Sequence, residues 1–166
     1  AALPDARITS VTDDDPDAAA AAASSADVAI VVAGYTAADE GEYLGADSMA
    51  DPALLSLFPP LPEGAPAFDL SQAAGAMGGA TGGDRASLRL RPVDVEIIKA
   101  TAAANPRTIV VVVTAGAVIT EEWRHDVPAL VVGWYSGAEG GHALADALTG
   151  RADASGRLPY SIPTSE

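Results

Sequence analysis

Three short runs of apolar, mostly β-branched residues limit what this chain can fold into: Val28 to Val32, Ile109 to Val113 and Ala129 to Val132. None alternates apolar with polar, so each predicts a strand buried on both faces, as in a parallel sheet covered by helices. Helical segments lie between them. Asp14-Asp15-Pro16 offers an N-cap aspartate and a proline suited to a first helical turn, and the alanine-rich Asp17 to Ala26 follows as a good helix former. A second helix begins near Pro92, with Asp94 and Glu96 in its first turn and Val95, Ile98 and Ala102 at helical spacing. Asn105-Pro106 stops it. A short helix near Trp123, a glycine-rich turn from Gly133 to Gly141 and a helix from Ala143 to Leu148 complete the alternation. Arg7 to Val11 reads as a first short strand. Leu158 to Ile162 reads as a last one, at an edge because Pro159 lacks a backbone donor. The fold class is α/β: a mostly parallel sheet sandwiched by helices.

The 166 residues form a single domain and leave no room for a complete (β/α)₈ barrel, which needs about 250. Nine basic residues stand against 23 acidic ones, for a formal charge of −14, and Lys99 is the only lysine. A nucleic-acid partner is therefore not expected, nor is an anionic membrane surface. No stretch reaches 18 uninterrupted apolar residues. With no cysteine, disulfides and thiolate metal sites are excluded. His125 and His142 have no ligand spacing to each other or to a carboxylate, so neither a metal nor any other cofactor is expected. Leu44 to Gly83 is a long irregular insertion holding Pro52, Pro59, Pro60, Pro62 and Pro66. Loops of that length often carry function, and Leu54, Leu55, Leu57 and Phe58 suggest that its middle packs on something.

Ligands of parallel sheets bind beyond the carboxyl ends of the strands. Three segments leave such ends here: Gly34 to Tyr43, Thr114 to Gly116 and Gly133 to Gly141. The first is the most unusual, because Asp39-Glu40-Gly41-Glu42-Tyr43 crowds three carboxylates into four residues. Crowding and partial burial keep a carboxylic acid protonated near neutral pH, which suits a general acid. The plain alternative is a solvated acidic loop in an acidic protein. Asp84-Arg85, after Gly82-Gly83, can hold a sugar hydroxyl or clamp its loop to the sheet. The Gly133 to Gly141 turn has neither the GxGxxG spacing nor a Walker lysine, and Glu139 stands where a phosphate would sit. Its glycines read better as allowing close helix–sheet packing.

Taken together, these segments resemble the C-terminal α/β-sandwich domain of glycoside hydrolase family 3, the β-glucosidase and β-xylosidase family. The resemblance runs through ADVAIVVAG at Ala26, DEGEY at Asp39, GDRASLRL at Gly83 and NPRTIVVVVTAGAV at Asn105. It continues with VPALVVGWYSGAEGGHALADALTG at Val127 and SGRLPYSIP at Ser155, the two most specific matches. It implies retaining hydrolysis of β-linked glycosides, in which one carboxylate attacks the anomeric carbon and a second protonates the leaving oxygen and later activates water. In this family the nucleophile belongs to an N-terminal barrel. The acid/base glutamate sits on the loop after a strand, shortly before Asp-Arg; Glu42 matches that position best, with Glu40 its neighbour, although about 40 residues here separate it from Asp84-Arg85. The resemblance further implies an additional first helix and strand, which this sequence lacks. The expectation is thus an incomplete sandwich, inactive alone, completed by a barrel-containing chain that carries the nucleophile, with a homodimer also open. A non-catalytic accessory domain shaping the aglycone side of the pocket is the alternative.

Overall fold

A computed structural model describes residues 3–36, 39, 53 and 85–166. Two compact units divide the chain, Ala1–Gly34 with Ser87–Glu166, and Tyr35–Ala86. The first unit contains, in order, α1 (Pro16–Ser24), β1 (Ala29–Gly34), α2 (Pro92–Ala104), β2 (Thr108–Val113), β3 (Ala129–Val132) and α3 (Gly140–Leu148). The strands form one parallel sheet in the order β1-β2-β3. Ile109 lies between Ile30 and Ala129, and Val111 between Val32 and Val131. This is the α/β architecture expected from the apolar runs.

The helices begin and end where local chemistry directs. Asp15 caps α1: its Oδ1 accepts from the Asp17 and Ala18 amides at 2.9 and 3.0 Å, satisfying donors that the first turn leaves unpaired. Ser24 and Ser25 turn their hydroxyls back onto the Ala21 and Ala22 carbonyls and end the helix there. α2 starts with Pro92, and Arg91 just before it grips Asp94 with two bonds of 2.7 and 3.0 Å. Asp94 alone of the two acidic residues lies in the first turn; Glu96 falls beyond it. Asn105 does more than stop α2. Buried at its C-cap, it donates to the Ala23 and Ala26 carbonyls at 3.0 and 2.8 Å and accepts from the Arg107 amide at 2.8 Å. One side chain thus ties the end of α2 to the end of α1 and to the start of β2.

The core lies on the face of the sheet that carries Ala29, Val31, Ala33, Val110 and Val112. α2 covers this face with Ile98 and Thr101, both buried, and the Thr108 hydroxyl donates to the Asn105 carbonyl at 2.6 Å beneath it. Burying a valine or isoleucine side chain fully stabilises by about 1.5–3 kcal/mol. The opposite face is treated unequally. Val111 is buried there, whereas Val28, Ile30 and Val32 are 48%, 50% and 61% exposed.

Three expected elements take other forms. Arg7 to Val11 is not a strand; it has no regular secondary structure and Ile8 is 82% exposed, because among the described residues β1 pairs only with β2, and two large apolar residues bury too little to offset ordering. Leu158 to Ile162 is also no strand. Pro159 and Pro163 withhold donors, and the segment docks by a side chain instead: the Tyr160 hydroxyl donates to the Gly116 carbonyl at 3.1 Å and its ring meets Trp134 edge-on. Around Trp123 there is a series of turns rather than a helix, closed by the Trp123 and Arg124 amides on the Thr120 carbonyl. Trp123 is nonetheless 1% exposed, with its indole N–H unpaired. Arg89 adds an isolated parallel bridge to Ile119.

Candidate functional site

Because all three strands run parallel, β1, β2 and β3 end on the same edge of the sheet, at Gly34, Val113 and Val132. Gly34 is forced. A Cβ there would collide with the Val113 carbonyl across the strand pair, so only glycine lets β1 finish its ladder before the chain leaves the sheet. At the end of β2, the Thr114 hydroxyl both accepts from the Gly116 amide and donates to the Gly116 carbonyl, at 3.2 and 3.1 Å, which folds a tight turn. Tyr160 donates to that same Gly116 carbonyl. Beneath it Val112, Thr114, Val118, Thr120, Leu130 and Val132 line a small apolar cavity.

At the end of β3, Trp134 adopts φ 53°, the left-handed region that a bulky side chain rarely enters. Its ring is held edge-on to Tyr160, with centroids 6.0 Å apart. Sequence reasoning passed over Trp134, since nothing in a Gly-Trp-Tyr string reports a backbone angle. None of the glycines around it is held by a close contact between a helix and the sheet, contrary to the expectation. A Cβ on Gly133 would touch the Val111 side chain at 3.4 Å, but one on Gly140 would meet Ser136 of the same turn, and Gly137 serves a left-handed turn with open space around it. Glu139 faces His142 at 2.9 Å in an exposed pair at the start of α3, and His125 stands 3.7 Å from Glu121. Among the described residues no group of three metal-ligating side chains gathers, and no helix is long and apolar enough to cross a membrane.

The Tyr35–Ala86 unit begins directly after β1. Its first turn is closed reciprocally: the Asp39 amide donates to the Thr36 carbonyl at 2.9 Å, while Asp39 Oδ2 accepts from both the amide and the hydroxyl of Thr36 at 2.8 Å. Of the three crowded carboxylates, Asp39 is therefore engaged in building the chain's exit from the strand. At the other end of the unit the Arg85 guanidinium lies over the Tyr35 ring, 4.4 Å from its centroid, and Tyr35 is 9% exposed. Arg85 thus contacts a residue of its own unit. Glu40, Glu42 and Asp84, and the apolar Leu54, Leu55, Leu57 and Phe58, lie outside the described residues.

The C-terminal anchor of the first unit is electrostatic. Glu166 accepts from the Ser87 hydroxyl at 2.5 Å and the Leu88 amide at 2.6 Å. The Ser87 bond first, then the Leu88 bond and nearby Arg89, hold its carboxyl below the usual range. Arg89 itself pairs with Glu122.

Residues 3–166 match the glycosyl hydrolase family 3 C-terminal domain. The chain belongs to this family. Among its relatives, a β-glucosidase of Bacteroides ovatus is 40% identical over 82 residues, 49% of this chain and 11% of that protein. β-Glucosidase B of Emericella nidulans is 46% identical over 67 residues, 40% of this chain and 8% of the other. The matched stretch is thus about a tenth of either relative's length. Solved structures give the same answer for the fold. A β-glucosidase of Chaetomella raphigera superposes over 92% of this chain and 17% of its own, with TM-score 0.63 and 28% identity. A Kluyveromyces marxianus β-glucosidase in complex with glucose covers 95% and 14%, with TM-score 0.62 and 26% identity. The family 3 domain seen in these enzymes is the parallel α/β layer that the apolar runs imply.

Proposed function

We propose that this family 3 domain lends the acid/base carboxyl to a retaining β-glucosidase, with Glu42 as the donor and Glu40 as the neighbouring alternative. The observation that carries the reading is the exit from β1. The strand ends at the carboxyl edge of a parallel sheet, where such folds bind ligands, and the acidic motif follows within five residues of Gly34. Asp39, first of the three carboxylates, is engaged with Thr36, which leaves the two glutamates as candidates for chemistry. The relatives, all named as β-glucosidases, supply the reaction class.

In this mechanism the glutamic acid protonates the glycosidic oxygen while a carboxylate from a barrel domain attacks the anomeric carbon. The resulting glutamate then takes a proton from water, which releases the sugar from the covalent intermediate. Asp84 and Arg85 stand with the substrate-binding groups in this scheme. The chain by itself turns over nothing, because the nucleophile and most sugar-binding groups belong to the barrel-bearing partner, whose substrate is a β-linked oligosaccharide or glycoside. The exposed Val28, Ile30 and Val32 on the outer face of β1 are the surface that this partner covers.

The same apolar face supports a second reading, an accessory domain that mediates assembly or dimerisation and shapes the aglycone side of the pocket. Glu42→Ala in the complete enzyme separates the two. Acid/base duty predicts a loss of about 10²–10⁴ in kcat/KM on glycosides with poor leaving groups, little loss in the first step on activated aryl glycosides, and partial rescue by azide. An accessory role predicts a change mainly in KM, with no azide rescue. Should Glu40→Ala show the acid/base signature in its place, the role passes to that residue.

A further inference from the structure

The last stretch of the first unit is held by side chains alone. Past Ala152 the chain forms no helix or strand, and among the described residues no main-chain hydrogen bond joins 153–166 to the rest of the unit. One anchor is Glu166, on Ser87 and Leu88. The other is Tyr160, which meets two turns at once. Its hydroxyl donates to the Gly116 carbonyl after β2 at 3.1 Å, and its ring stands edge-on to Trp134 after β3. Trp134 is the residue with φ 53°. Gly133 just before it is still tied to the sheet, its amide donating to the Val112 carbonyl at 2.8 Å, so the left-handed step falls at the first residue past that rung. A bulky residue in that region is strained, and it stays there where its surroundings hold it.

We infer that residues 153–166 form a strap across the carboxyl ends of β2 and β3, that Tyr160 is its latch, and that the closed latch holds Trp134 in its left-handed backbone. The inference does not depend on which glutamate donates a proton. Residues 151–159 are exposed, and segments with exposed backbone and few buried contacts open locally at far less cost than unfolding the sheet. With the latch open, Trp134 loses its ring partner, and its backbone relaxes to the right-handed or extended range that an L residue prefers. Closing the strap again requires the left-handed turn. Strap and turn are thus one element with two arrangements: closed with Trp134 strained, open with Trp134 relaxed. Opening also withdraws Tyr160 and Ile162 from the wall of the small cavity that they share with Val112, Thr114, Leu130 and Val132. That cavity lies at the edge where parallel sheets take up ligands, so the strap governs access to it.

Limited trypsin digestion of the complete enzyme, with the cut bonds identified by mass spectrometry, tests the strap. Cleavage after Arg157 follows the population of the open strap when opening and closing are fast. Tyr160→Leu, which removes both the hydroxyl bond and the ring contact, should speed that cut by about 5- to 100-fold. Tyr160→Phe, which keeps the ring, should speed it by only about two- to tenfold. If Tyr160→Leu does not accumulate as folded enzyme, Tyr160→Met takes its place. Two substitutions at the turn test the coupling, because both lack the indole and differ in tolerance of a left-handed backbone. Trp134→Ala should be cut after Arg157 about two- to tenfold faster than Trp134→Gly, since only alanine carries the Cβ penalty when the strap closes. Cleavage after Arg107, at the start of β2, should keep its parental rate in every variant. A Leu variant cut no faster than the parent overturns the latch, and a Phe variant cut as fast as Leu overturns the role of the ring. Trp134→Gly cut as fast as Trp134→Ala, or faster, shows a turn indifferent to the strap and overturns the coupling. A rise after Arg107 in step with that after Arg157 shows the whole domain loosening and overturns a separate strap.

Discussion

The two faces of β1 are made of similar residues and meet opposite fates. Ala29, Val31 and Ala33 lie under α2 and are buried, while Val28, Ile30 and Val32 stay about half exposed or more. In β2, which has a strand on either side, Val110, Val111 and Val112 are buried on both faces. The difference teaches that an unbroken apolar run encodes the burial of a strand in its working assembly. Where the run is continuous and the burial one-sided, the uncovered residues are those that the proposed partner would cover.

Charge placed on either face separates the two most sharply. Val110→Asp buries an unpaired carboxylate against α2 and should cost at least about 4 kcal/mol, enough to unfold the domain in a denaturant titration. Val32→Asp in this chain should shift stability by no more than about 0.5 kcal/mol. In the complete enzyme the same Val32→Asp change should cost several times more, because the proposed partner then covers that face. Equal, small costs in both settings would remove the case for a covering partner. The next effect down concerns the covered side alone. Asn105→Ala leaves the Ala23 and Ala26 carbonyls and the Arg107 amide without their partner, and should destabilise by about 2–3 kcal/mol in the same titration. The smallest is a pH effect at the rim of the domain. The Glu166 carboxyl is held below its unfolded value, so its contribution is present above the ordinary carboxylate range and is lost as pH falls through the lowered folded value. Thermal midpoints of the parent and Glu166→Gln should differ at neutral pH and converge in acid.

The strands were legible because the apolar runs have nothing else to do: Val28 to Val32, Ile109 to Val113 and Ala129 to Val132 each yield a strand within a residue or two. The helix starts were legible for a local reason, since Asp15-Pro16 and Pro92 act within one turn. What failed was propensity without a neighbour. Arg7 to Val11 and Leu158 to Ile162 have strand-like composition, but among the described residues the first finds no strand to pair with, and the second has Pro159 where a donor belongs. At the candidate site the sequence marked Arg85 and the acidic cluster. It could not reveal that Asp39 would be engaged by Thr36 or Arg85 by Tyr35, because both pairings depend on side-chain directions set by the turn. Trp134 was hidden for a similar reason, a left-handed backbone in a residue with no compositional preference for it.

The contact between Gly34 and the Val113 carbonyl carries a consequence for which positions of this chain can change. A hydrogen atom is the largest substituent that can stand where the polypeptide departs from its scaffold. Any side chain at position 34 must push the Val113 carbonyl aside, so a change there disturbs the last rung of the ladder rather than the residues that follow it.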